Sequence, residues 1–220
     1  MFIGHSAVGF ASKSAAPRAS LGVLMAAPML PDLLWPFFLM TGWEKVRIDP
    51  GNTAFTPLDF VSYPYSHSWA AACGWAALSG FLYWAYSRYV AGAMVVSVGV
   101  LSHWVLDAVT HRPDLPILPG RSARVGFELW NSAPATIAIE SAMFASGIWL
   151  YMSLTRPRDA VGHYALWSFV ALQAISYAAT AFGPPPPSPE FLARFELVTW
   201  LFPLWAWWFD RHRAVASELA

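Results

Sequence analysis

AGAMVVSVGVLSHWVLDAVTHRPD, from Ala91 to Asp114, decides how this chain reads. From Ala91 to Leu106 it is almost wholly apolar. Its end carries His103, Asp107 and His111, four residues apart. On a helix that spacing stacks the three side chains along one face. Pro113 predicts that the helix stops there. Imidazole, carboxylate and imidazole together suit zinc or a similar divalent ion. Ionisable groups in a membrane span are costly and mark function by default. The plainer alternative is a polar helix end facing water.

Composition sets the surroundings of that stretch. The chain has 220 residues, 57% hydrophobic and 12% charged. Soluble domains average about 25% charged. Thirteen Trp and fifteen Phe fit the aromatic belts of a membrane protein. A net charge of zero argues against nucleic-acid binding. Cys73 stands alone, so a cysteine zinc cluster is excluded, and any ion must be held by His, Asp and Glu.

The expected fold is all-α: one integral membrane domain over 1–220, a polytopic bundle of about six spans. The first, Ser20 to Trp43, is long enough to cross a bilayer, which takes about 20 residues. Pro28, Pro31 and Pro36 lie within it, and a break at Pro31-Asp32 is expected. Asp32 then either caps a second half-helix or binds an ion from the break. Glu44 to Tyr65 reads as a polar loop with a turn at Asp49-Pro50-Gly51-Asn52. The second span opens on Tyr63-Pro64-Tyr65-Ser66-His67-Ser68-Trp69 and runs to about Tyr86. The third spans about Ala91 to Thr110. The fourth, about Ser132 to Leu154, holds Glu140 inside an apolar helix, where a carboxylate needs a partner. The fifth covers about Ala160 to Phe182 and the sixth about Phe191 to Phe209.

Six spans put His67, His103, Asp107 and His111 on one side, approached by Asp32 and by Asn131 and Glu140. His5 reaches them only if a short first helix folds back into the bundle. His163 and His212 fall on the opposite side. Lys13, Arg18, Arg88, Arg156, Arg158, Arg211 and Arg213 share the side of the termini. Lys45, Arg47, Arg112, Arg121, Arg124 and Arg194 share the other. Seven cations against six lean towards cytoplasmic termini and an extracytoplasmic site.

Assembled, these residues give a resemblance. His5, Leu30-Pro31-Asp32, Ser66-His67-Ser68, and Ser102-His103-Trp104-Val105-Leu106-Asp107 with His111 are similar to motifs of the bacterial membrane-bound metal-dependent hydrolases, the YdjM-like group. Leu129-Trp130-Asn131-Ser132, Glu140 and the run His111 to Pro116 look like a subgroup of it. The likeness covers about the first two thirds of the chain. At Leu34 many members carry a second acid. The resemblance implies a divalent-metal site and hydrolysis in a bacterial inner membrane.

The resulting expectation is a membrane-embedded hydrolase. His67, His103, Asp107 and His111 hold one ion, and Asp32 and His5 complete it or help hold a second. Zinc is the first choice, with manganese or iron as alternatives. The ion lowers the pKa of a water towards about 7. Glu140 or Asp114 serves as base or orients a histidine, and Arg112 and Asn131 hold a substrate oxygen. The expected partners are membrane lipids and an amphiphilic substrate, a phosphoester or else an ester or amide. The alternatives are a metal or proton transporter, and a non-catalytic protein with a structural metal.

Overall fold

A computed structural model of the protein describes residues 1–120 and 122–216. Arg121, one of the cations counted above, lies outside the described residues. The chain is mostly helical. Among the described residues, four helices are long and apolar enough to cross a membrane: α2 (Leu21–Met40), α5 (Val90–Thr110), α6 (Ala133–Leu154) and α7 (Ala160–Phe182). The other two expected spans differ. α4 (Trp69–Ser87) is 19 residues long, but its alanines, glycines and Trp and Tyr rings leave it less apolar than those four. The sixth segment is divided into α8 (Pro189–Glu196), a 3-10 turn (Leu197–Trp200) and α9 (Leu201–Arg211). α8 starts where Ser188 Oγ accepts from Phe191 N at 3.1 Å, and it carries Glu190, Arg194 and Glu196, which makes it amphipathic.

The expected break at Pro31-Asp32 is absent. α2 runs unbroken through Pro28, Pro31 and Pro36, all three buried. Each proline removes one backbone donor. Packing compensates, because α2 is flanked by α1 (Ile3–Ala15), α5, α8 and α9. Asp32 therefore caps no half-helix; it projects from an intact one. Trp200 Nε1 donates to Leu33 O beside it at 3.0 Å.

α1 is the short first helix folded into the bundle. Its backbone approaches its neighbours at two glycines. A Cβ on Gly147 of α6 would meet Ala7 O at 2.5 Å, and one on Gly9 would meet Met25 Cα of α2 at 2.9 Å. Only residues without a side chain allow such close crossings. α1 thus carries His5 at one end of the bundle interior and Lys13 at the other.

Three two-stranded antiparallel ladders qualify the all-α expectation. The polar loop expected over 44–65 contains β1 (Lys45–Ile48) paired with β2 (Leu58–Ser62). β3 (Leu115–Pro116) pairs with β4 (Arg124–Val125), and β5 (Thr155–Pro157) with β6 (Arg213–Val215). The first hairpin leads through Tyr63 into a single helical turn, α3 (Pro64–His67). Ser68 then caps α4, its Oγ accepting from Ala71 N at 3.1 Å.

Candidate metal centre

Four helices bring the six expected ligands into one largely buried cluster. α5 supplies His103 and Asp107, and His111 follows at its C-cap in extended backbone rather than in the helix. α1 supplies His5, α2 Asp32 and α3 His67. His5, His67, His103, Asp107 and His111 are all buried, whereas the Asp32 side chain is 32% exposed. Two groups of donor atoms could hold a metal ion: His5, His103 and Asp107, and Asp32, His67 and His103. Within each group the atoms lie within 4.8 Å of one another.

The orientation of three of the four imidazoles is set from behind. His103 Nδ1 donates to Pro28 O at 2.8 Å. His111 Nδ1 donates to Asp114 Oδ1 at 3.0 Å. His67 Nδ1 lies 2.6 Å from Ser66 Oγ. With Nδ1 committed, the Nε2 lone pairs point inward. His103 Nε2 is 3.0 Å from Asp107 Oδ2, yet it makes no hydrogen bond. His67 Nε2 is 3.3 Å from Asp32 Oδ1 and 3.8 Å from Asp107 Oδ2. His111 Nε2 is 3.8 Å from Asp107 Oδ2. Where those Nε2 atoms carry no proton, acceptors face acceptors across the cluster, an arrangement that a cation could bridge. Asp107 already attracts one: the Met1 ammonium lies against its Oδ1, with His5 Nε2 at 3.1 Å.

Burial among aromatic rings supports the neutral, ligand form of His111. Phe60 and Trp130 lie with ring centroids 4.7 and 4.3 Å away. This desolvation holds the imidazole below its ordinary pKa.

The four residues expected to act on substrate fall in different places. Asp114 is buried, and its Oδ1 accepts from Tyr63 OH at 2.8 Å as well as from His111. Glu140 Oε2 accepts from Phe2 N at 2.8 Å and Gly4 N at 3.2 Å. It thus caps the start of α1 and fixes His5, while its Oε1 has no partner. Arg112 reaches Asp59 Oδ1 at 3.0 Å and lines an open cleft of about 410 Å³ with Arg47 and Arg124. Asn131 is exposed and outside the cluster. Of the histidines set aside, His212 pairs with Asp159 on the surface at 2.7 Å.

Two acids were not singled out from the sequence. Glu44 is buried behind Ser66, accepting its hydroxyl at 2.5 Å. Glu196 closes α8 one turn before Trp200, which docks on Leu33. Among the described residues its carboxylate has no hydrogen-bond partner.

No family model matches this chain, and no curated protein or solved structure matches it either.

Proposed function

We propose that the cluster is the metal centre of a membrane-embedded, zinc-dependent hydrolase acting on an amphiphilic substrate. One observation carries this reading: three imidazoles hold Nδ1 in hydrogen-bond reach of acceptors and aim Nε2 at two carboxylates. Imidazole with carboxylate suits zinc, and manganese and iron accept the same donors.

His5, His67, His103, His111, Asp32 and Asp107 would hold one or two ions. Asp107 turns Oδ1 to His5 and Oδ2 to His67, His103 and His111, and His103 is common to both candidate groups. Bound there, the metal supplies Lewis-acid activation of water and of a substrate oxygen. The residues around it do the remaining work. Asp114 and Glu140 orient His111 and His5. Glu196 would serve as the proton donor to the leaving group. Phe60, Trp130 and Tyr63 keep water from the far side of the cluster.

α4 and the α8–α9 segment would complete six crossings of a bacterial inner membrane, with the cluster towards the extracytoplasmic face. A site there reaches the headgroup region, which favours a lipid phosphoester over a lipid ester or amide.

Elemental analysis of the detergent-purified protein tests the proposal, followed by hydrolysis assays with bis(p-nitrophenyl) phosphate and with short-chain ester and amide substrates. Stoichiometric zinc together with metal-dependent hydrolysis is expected. A wild-type protein that takes up no zinc, manganese or iron would sink the reading.

A further inference from the structure

We infer that Glu44 is a positioning residue of this site, acting through Ser66 to decide which nitrogen of His67 faces the ions. The inference rests on reading the cluster as a metal centre. The three oriented imidazoles are not held alike. Behind His103 stands a backbone carbonyl, and behind His111 a carboxylate. Both can only accept, so each fixes its ring by itself. Behind His67 stands a hydroxyl, which can donate or accept. Ser66 alone would leave the tautomer of His67 open.

Glu44 removes that freedom. Its Oε2 lies 2.5 Å from Ser66 Oγ and takes the only hydroxyl proton. Ser66 then has lone pairs alone to offer at 2.6 Å, and His67 Nδ1 must be the donor. Nε2 keeps its lone pair, directed at Asp32 Oδ1 and Asp107 Oδ2. The three groups are sealed from solvent, with Glu44 2%, Ser66 0% and His67 3% exposed, so water does not substitute for any of them. The other oxygen, Oε1, does a separate task. It accepts from Tyr65 N at 2.7 Å and Ser66 N at 2.8 Å, capping α3.

This division of labour makes Glu44→Gln a clean probe. The amide oxygen can keep both backbone contacts. The amide nitrogen now donates to Ser66 Oγ, which frees the hydroxyl proton to point at His67 Nδ1. His67 becomes the Nε2–H tautomer, hydrogen-bonds Asp32, and is lost as a ligand.

The test uses wild type, Glu44→Gln and Ser66→Ala, each purified in detergent. Zinc affinity is measured by chelator competition. Histidine tautomers are read by long-range 15N–1H NMR on chelator-treated protein, with His67→Asn assigning the signal. Glu44→Gln is expected to weaken zinc binding about 10–100-fold and to move the His67 ring from Nδ1–H to Nε2–H. Ser66→Ala is expected to weaken binding less, because it removes the partner without reversing the tautomer. Wild-type affinity in Glu44→Gln overturns the inference. So does weakened binding with the His67 tautomer unchanged, which reduces Glu44 to a helix cap. If wild type binds no zinc, it is the metal reading that fails, and this inference with it.

Discussion

Two buried charged clusters sit at opposite ends of α1, and they are built on opposite principles. About 12 Å apart along the helix, Lys13 and His5 each reach an aspartate. Around Lys13 the polar groups are closed. Asp210 Oδ2 accepts from Lys13 Nζ at 2.8 Å and Leu21 N at 2.9 Å, and Oδ1 accepts from Tyr151 OH at 2.8 Å. Lys13 also donates to Ala19 O at 2.8 Å. Around His5 they are open. His103 Nε2, His5 Nδ1 and Glu140 Oε1 are buried without hydrogen-bond partners. A buried pair whose hydrogen bonds close on themselves fastens helices. A buried cluster with unmatched lone pairs is built for something added.

The contrast can be broken most sharply at Asp107. Asp107→Asn is expected to abolish stoichiometric zinc while the chain still folds, as read by elemental analysis and circular dichroism. Zinc retained at the wild-type level would erase the distinction between the two ends. Lys13→Met makes the reciprocal cut. It leaves Asp210 without its cation and is expected to cost about 3 kcal/mol of stability, seen as an earlier denaturation midpoint, with zinc content unchanged. Glu196→Gln sharpens the picture within the open end. Zinc should stay bound while hydrolysis falls about 100-fold. In wild type the rate should decline as pH rises and the donor proton is lost. The variant should lack that decline, and an identical pH profile would remove Glu196 from the chemistry. The smallest effect belongs to Trp200→Phe, which deletes the bond to Leu33 O and should cost about 1 kcal/mol in thermal stability.

How much of this was legible in the sequence depended on whether neighbours in space were neighbours in a helix. His103 and Asp107 follow from four-residue spacing alone. His67 and Asp32 emerged from ordering the segments across a membrane, whereas His5 did not fit that ordering and entered with the family resemblance. Glu44 lies 23 residues before His67 with β1 and β2 between them, and no period links the two. Glu196 belongs to a segment read as one apolar span, about Phe191 to Phe209, and was not weighed there. The unbroken α2 was illegible for another reason. Local rules count the donors that Pro28, Pro31 and Pro36 remove, and they do not count the helices packed around that stretch. Glu140 was rightly seen to need a partner, but its partners are backbone amides of α1, which leave no signature in side-chain identity.

The seating of α1 has a consequence for biogenesis. Most of its residues are covered by later parts of the chain, and the backbone contacts at Gly9 and Gly147 leave no slack for a loose fit. The segment is synthesised before every helix it rests on. It must therefore wait, partly housed, until α2, α5 and α6 have assembled. His5 arrives with it, so this imidazole joins the cluster only when the bundle is closed. Under the proposed metal reading, an ion would then be held fully only by chains that have finished folding.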